Sequence, residues 1–288
     1  MLDGLRHHYL FENYYHEICC ALGFDPIIRI KAGDNHIINV NEVSSLLTVF
    51  VSVIAYDHWR KRNGHPKAIA GYSVGQWTAL YAAGVIPFKT LVRVVAKRAA
   101  FMNECFAEKN GAMIAVIGLD SFELEMLCSK MRDQGLDIFI SNYNCSGQHS
   151  IAGSFTAINL ALKSISELKP KKMVQIPTSG AWHCPLVDNA AIKFRKWLEE
   201  LTFLKPTVPI IDNASGTFLP DGGSTFLDCL ARQINHPVLW DKGIKNLISY
   251  GCEKFVEVGY GNILTKFGFF IDRNLVEHLS YYPNEKDI

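Results

Sequence analysis

No stretch of this 288-residue sequence reaches the roughly 18 consecutive apolar residues that a membrane-spanning helix needs. The longest apolar segment, from Val40 to Trp59, is interrupted by Asn41, Glu42 and Asp57. A membrane anchor is therefore not expected. Charge of one sign is lacking too: 29 Lys and Arg stand against 28 Asp and Glu, for a formal net charge of +1. Nothing in that balance marks out nucleic acid or an anionic surface as a partner. The eight cysteines include no C-x-x-C pair, and no secretory leader precedes them, so the expectation is reduced thiols in a cytoplasmic protein. No His, Cys or Asp cluster has metal-ligand spacing. Repeats and low-complexity tracts are absent as well. What remains is an ordinary globular composition, 49% hydrophobic and 20% charged, long enough for one large core or for a large unit carrying a smaller one.

Alternating strand and helix patterns fill the chain. Glu42 to Arg60 has the wide apolar face of a long, mostly buried helix, broken by Asn63-Gly64-His65-Pro66. A short apolar run, Lys67 to Ala70, leads into Gly71-Tyr72-Ser73-Val74-Gly75, and helical spacing resumes over Gln76 to Ala83. Phe88 to Asn103 forms another amphipathic helix. Beyond Asn110-Gly111 the texture changes. Strand-like runs at Ala112–Leu119, Asp137–Asn142, Ser150–Ala152 and Met173–Ile176 enclose helices at Ser121–Gln134 and Phe155–Leu168. This β-α-β-β-α-β order is the ferredoxin-like pattern. Helices are expected again at Cys184–Glu200, Ser224–Ile234, Trp240–Tyr250 and Leu264–Phe270, with strands at Val208–Asp212 and Lys254–Val258. The expected fold class is α/β: an α/β-hydrolase-like large subdomain with a mainly parallel sheet, formed by residues 1–108 and 178–288, and an inserted ferredoxin-like small subdomain at 109–177.

The chemistry concentrates at Gly71-Tyr72-Ser73-Val74-Gly75. In a G-x-S-x-G turn the glycines permit a sharp strand-to-helix reversal that lifts the Ser oxygen clear of the sheet, and the next backbone N–H, here that of Val74, can receive an oxyanion. A glycine-rich turn with a solvated Ser has the same bare pattern. The flanking strand and helix favour the nucleophile. A serine hydroxyl needs a base within hydrogen-bonding reach. Of the ten histidines, His7, His8, His16, His36, His58, His65 and His278 lie in polar segments or near the chain ends, while His149 and His236 sit in turn-like contexts. His183 follows the small-residue loop Ser179-Gly180-Ala181-Trp182, where an imidazole could face a cleft.

The segments GYSVGQ at 71–76, KRAAFMNE at 97–104, GAMIAVIGL at 111–119, NYNCSGQHSIAG at 142–153, SGAWHCPL at 179–186, RQINHPVLW at 232–240 and FVEVGYGNIL at 255–264 extend over nearly the whole chain. In order and spacing they resemble the malonyl-CoA:acyl carrier protein transacylases, the acyltransferases of fatty acid and polyketide synthesis, some of them free-standing and trans-acting. The resemblance implies that Ser73 is the acylated serine and His183 the base of a Ser-His dyad oriented by a backbone carbonyl, with Gln233 beside that carbonyl. It implies that Arg98 pairs with the free carboxylate of a malonyl-type acyl group, a match between a planar guanidinium fork and a carboxylate. Trp182 stands where malonyl-selective members carry Phe, and so would crowd an α-substituent. Tyr72 replaces the usual His before the nucleophile and Gln76 the usual Glu after the turn, which predicts altered tuning. The family begins with a strand and a glycine- and glutamine-rich loop that completes the oxyanion hole. Here Met1-Leu2-Asp3-Gly4 passes directly into what matches the following helix, so that first strand is expected to be missing or its start displaced. The implied reaction is ping-pong transfer from coenzyme A to the phosphopantetheine thiol of an acyl carrier protein, with no bound cofactor or metal, in a cytoplasmic monomer. The competing expectations are an acyl-thioester hydrolase, a carrier-to-carrier acyltransferase, and a non-catalytic carrier-binding subunit.

Overall fold

In the computed structural model, residues 5, 8–106, 111–273 and 277–283 are described. Met1 to Gly4 and the expected 108/109 subdomain boundary lie outside the described residues. The N-terminal part is helical. Helix α1 (Phe11–Leu22) ends at Gly23, whose left-handed φ of 73° lets its N–H close on the Cys19 carbonyl. Asp25 then caps α2 (Pro26–Lys31), accepting from the N–H groups of Ile27 and Ile28. The long helix expected near residues 42–60 is α3 (Asn41–Asn63), and Leu46, Phe50, Val53 and Ile54 on it are almost fully buried. Around it pack α1, α4 (Gly75–Ala82) and α5 (Phe88–Glu104), giving the main core, to which Trp77, Leu80, Leu91 and Phe194 also contribute. Asp57, the charge that interrupts the apolar run, accepts 2.8 Å hydrogen bonds from the hydroxyls of Tyr14 and Tyr81. Among the described residues no helix is long and apolar enough to cross a membrane.

Strand β1 (Ile69–Ala70) pairs in parallel with β6 (Ile210–Ile211), Ile69 opposite Ile210. Strands β7 (Lys254–Val258) and β8 (Glu277–Tyr281) form a second parallel pair. The expected parallel pairing is thus present in two short pieces. Strand β6 is shorter than the Val208–Asp212 run suggested because Pro209 has no N–H to donate and Asp212 already turns, its N–H bonded to the Thr217 carbonyl. Strand β1 stops because the chain reverses at Gly71, where a Cβ would collide with the Gly75 carbonyl.

Strands β2 (Gly111–Ile117), β3 (Ile138–Cys145), β4 (Gln148–Ser154) and β5 (Lys172–Ile176) form an antiparallel sheet in the order β3-β4-β2-β5. With α6 (Ser121–Asp133) and α7 (Phe155–Glu167) it encloses a separate core of Ile114, Val116, Leu124, Ile138, Ile151 and Ile158. This is the ferredoxin-like arrangement expected. Two backbone bonds, Val238 N–H to Ser141 O and Tyr143 N–H to Val238 O, both 2.9 Å, tie β3 to the connection between α9 (Gly223–Arg232) and α10 (Trp240–Ser249). The helix expected at 184–200 is divided. Cys184, preceding Pro185, is extended, a 3-10 turn spans Pro185–Val187, and α8 runs over Asp188–Leu198. The final helix α11 covers Ile263–Ile271. Helix α2 and strand β8 had no sequence-based assignment.

Candidate active site

Ser73 sits between β1 and α4 with φ of +51°, a left-handed conformation that a residue with a Cβ adopts at a cost of roughly 1–3 kcal/mol. Local bonds account for part of its support: Gly75 N–H reaches the Tyr72 carbonyl at 2.9 Å and Gln76 N–H the Ser73 carbonyl at 3.0 Å. The rest comes from Asn213, just past β6. Its Oδ1 accepts from Ser73 N–H at 2.7 Å and its Nδ2 donates to the Gly71 carbonyl at 2.6 Å, so one buried side chain spans the turn. Gln76, fully buried, in turn holds Asn213, its Oε1 accepting the Asn213 N–H at 2.7 Å while its Nε2 faces Asp212 Oδ1 at 3.4 Å. Where a carboxylate at position 76 would confront Asp212, the Gln76 amide offers it a donor. Tyr72 points the other way, its hydroxyl donating to Asn144 Oδ1 of β3 at 2.7 Å and its ring lying edge-on to Trp240.

The loop at 179–182 leads to His183, whose ring lies against Ser73. His183 also has a positive φ, +60°, and its N–H bonds the Ile234 carbonyl at 3.1 Å. Its Nε2 lies 2.7 Å from Ser73 Oγ and its Nδ1 lies 2.9 Å from the Gln233 carbonyl oxygen. A carbonyl only accepts, so Nδ1 carries the proton and Nε2 offers its lone pair to the Ser73 hydroxyl. His183 is 3% exposed, and burial, followed by the Arg98 charge, pushes it down from 6.5 to about 3. The imidazole is therefore neutral at pH 7 and able to accept a proton. The Gln233 side chain performs two further tasks: its Nε2 donates to the Ser73 carbonyl at 2.9 Å and its Oε1 accepts from Arg98 Nε at 3.0 Å.

Arg98 is 2% exposed, and its Nη2 has no hydrogen-bond partner. Burial lowers it from 12.5 to about 10, which leaves it charged at neutral pH. No ion pair to it occurs among the described residues. A buried guanidinium one side chain away from the Ser-His pair thus keeps a hydrogen-bond donor that an anion could take. Val74 precedes α4, and its N–H has no acceptor among the described residues, leaving it free for a developing oxyanion. Trp182 packs edge-to-face on Phe106 with ring centroids 5.3 Å apart. His149 packs against Tyr143 and His236 bonds the Asn235 side chain; neither is hydrogen-bonded to Ser73. Sequence reasoning missed Asn213 and Asp212. The polar pair ending the apolar run VPII was the available signal, since in parallel sheets functional residues gather beyond the carboxyl ends of strands.

No protein-family model matches the chain. Among curated proteins it is 34% identical over 257 residues to the malonyl CoA-acyl carrier protein transacylase of Escherichia coli strain K12, covering 89% of this chain and 82% of that protein. The Bacillus subtilis strain 168 protein of the same name is 31% identical over 235 residues, 82% of this chain and 73% of its own length. The polyketide biosynthesis protein ThaF of Burkholderia thailandensis is 32% identical over 246 residues, which are 85% of this chain and 21% of that much longer protein. Among solved structures, an acyl-carrier-protein S-malonyltransferase from Burkholderia pseudomallei 1710b superposes with a TM-score of 0.90 at 25% identity, over 99% of this chain and 92% of that one. A malonyl-transacylase in complex with a type II polyketide synthase acyl-carrier protein superposes with a TM-score of 0.88 at 29% identity, over 97% and 89% of the two chains.

Proposed function

The chain belongs to the malonyl CoA-acyl carrier protein transacylase family, a family of acyltransferases, and from that premise we propose that it moves a malonyl-type acyl group from coenzyme A to an acyl carrier protein through an ester on Ser73. The observation that carries this reading is the 2.7 Å contact between Ser73 Oγ and the lone pair of a neutral His183, beside a buried guanidinium with a free Nη2. As Ser73 Oγ attacks the thioester carbonyl, its proton passes to His183 Nε2. The carbonyl electrons move onto oxygen, where the Val74 N–H receives them. Collapse breaks the carbon–sulfur bond, and the departing thiolate takes the proton back from His183. The phosphopantetheine thiol of the carrier protein then repeats the sequence on the ester, its proton going to His183 and on to the released Ser73 oxygen.

In this reading Arg98 holds the distal carboxylate through both half-reactions. Gln233 fixes the imidazole through its carbonyl and the guanidinium through its side chain, Tyr72 supports the turn from β3, and Trp182 limits the space beside the acyl α-carbon. The small subdomain is taken as 109–177 and the large one as 1–108 with 178–288. Coenzyme A and a carrier protein meet in the cytoplasm, where we place the protein, acting as a monomer.

Incubation with malonyl-CoA followed by intact-mass measurement tests the reading. The expected result is a malonyl increment that Ser73→Ala abolishes and that a carrier protein removes. A folded protein that acquires no increment, or that releases only free malonate, refutes transfer.

A further inference from the structure

Two aromatic rings beside the site occupy a hollow that two glycines leave open. A Cβ on Gly180 would collide with Trp182 Cη2 and stand 2.7 Å from Phe106 Cδ2, and one on Gly111 would stand 2.6 Å from Phe106 Cε1. Phe106 could not lie where it does if either glycine carried a side chain, nor could Trp182 if Gly180 did. The rings meet edge-to-face at an interplanar angle of 82°, the geometry that ring quadrupoles favour. Trp182 immediately precedes His183, while Phe106 lies just beyond the C-terminal end of α5, the helix that supplies Arg98. The pair thus joins the loop holding the base to the end of the helix holding the guanidinium. Beyond Phe106 lies a cleft of about 450 Å³, lined also by Val40, Asn103, Pro177 and Thr178, which Trp182 does not line.

We propose that Phe106 is a specificity-determining residue, holding the Trp182 indole against the acyl site and so setting how large a group the acyl α-carbon can carry. The inference rests on the acyl-transfer reading above. Held edge-to-face by Phe106, with Cη2 and Cζ3 against Gly180, the half-buried indole is braced on that side, and a methyl group on the α-carbon meets a wall. Shortening Phe106 opens a path from the indole into the cleft, and the ring yields. Trp182 is then large but movable, and its size alone no longer excludes the substituent. One added methyl in a fitted apolar site changes kcat/KM by roughly 10- to 200-fold, so releasing the wall has a readable effect.

The test compares kcat/KM for malonyl-CoA and methylmalonyl-CoA, with a carrier protein as acceptor, in the unmodified protein, Phe106→Ala and Phe106→Leu. The methylmalonyl-to-malonyl ratio is expected to rise at least about tenfold in Phe106→Ala and by a smaller factor in Phe106→Leu. A folded Phe106→Ala whose ratio stays within about twofold of the unmodified protein overturns the proposal, as does an equal loss for both substrates, since a purely structural role lowers both together. Should Phe106→Ala fail to fold, Phe106→Leu decides by the direction of its ratio. Absence of a malonyl ester on Ser73 in the unmodified protein is a different failure: it removes the acyl-transfer reading and the gate with it.

Discussion

Arg98→Met separates what the buried guanidinium does for the fold from what it does for the substrate. Arg98 is buried, with Nε bonded to Gln233 Oε1 and Nη2 bonded to nothing. Burial takes it from 12.5 to about 10; at 1.36 kcal/mol per pH unit, folding bears roughly 3 kcal/mol to keep that charge inside. The penalty is in full force at pH 7, below both values, where folded and unfolded chains alike carry the proton. Methionine fills the stem volume and removes the charge, recovering that amount, but it strips Gln233 Oε1 of its donor, a loss of about 1–3 kcal/mol. The two effects nearly cancel, so the melting temperature should stay within about 4 °C of the unmodified protein. Malonyl transfer has no such compensation. Two charge-assisted hydrogen bonds at about 1.5–3 kcal/mol each vanish, and kcat/KM for malonyl-CoA should fall by about a hundredfold or more. Acetyl transfer, with no carboxylate to seat, should hold or rise. Thermal melts and parallel malonyl-CoA and acetyl-CoA assays measure both effects. A melting temperature lower by more than about 6 °C would reveal a stabilising partner for Arg98, and equal loss of malonyl and acetyl transfer would sink the carboxylate clamp.

Asn213→Ala removes both bonds that span the nucleophile turn, so the rate of Ser73 ester formation should drop by about 10- to 100-fold, the loss of two bonds of about 1 kcal/mol each plus misplacement of the oxygen. Rapid-quench mass measurement follows it, and an unchanged acylation rate rejects the role. Gln76→Glu keeps the acceptor for Asn213 N–H but turns a second carboxylate oxygen toward Asp212, and its melting temperature should fall. Adding Asp212→Asn restores a donor opposite that oxygen and should recover most of the loss; a double variant no better than the single one contradicts the pairing. Because burial and the Arg98 charge depress His183, the acid limb of kcat/KM should lie more than about one unit below the ordinary 6.5, and a limb at 6.5 to 7 refutes the neutral-imidazole argument. The stability linkage runs the same way. Between 6.5 and about 3 the unfolded chain takes up a proton on this residue that the folded chain refuses, so stability falls as pH drops through that window and is regained above it.

Much of the architecture was legible because periodicity and chemistry agreed. The four strands and two helices between Gly111 and Ile176 alternate at the right spacing, and their capping residues, Asp120 and Ser154, accept the N–H groups that the pattern assigns to helix starts. The turn at Ser73 and the loop at His183 were visible because the glycines and small residues there have few other uses. Asn213 was marked only as part of a polar pair ending an apolar run; its role was not visible, because it depends on strand β6 lying beside β1, a pairing across 140 residues. Strand β8 was hidden for the same reason: Glu277–Tyr281 is strand-like only in parallel company with β7. The donor–acceptor match of Gln76 with Asp212 was equally remote. From sequence, Gln76 read as a departure from its family; in the fold it is one half of a complementary pair.

One physical cause gives the site both of its opposite needs. Burial depresses Arg98 and His183 alike, since each would be a cation shut away from solvent. Arg98 starts so high that at about 10 it is still charged at pH 7, whereas His183, brought to about 3, is neutral. On the proposed reading, the same desolvation supplies a cation for a carboxylate and a free base for a hydroxyl. The two groups also oppose each other, because the Arg98 charge disfavours the imidazolium that must form when Ser73 gives up its proton. An acyl group carrying its own carboxylate would cancel that charge on binding and make the imidazole a readier proton acceptor at the moment it is needed. An acetyl group would leave the opposition in place. On this argument the guanidinium selects twice, once by binding the carboxylate and once by withholding the base until a carboxylate arrives. The acid limb of kcat should then lie at higher pH with malonyl than with acetyl, and coincident limbs would leave Arg98 with the binding role alone.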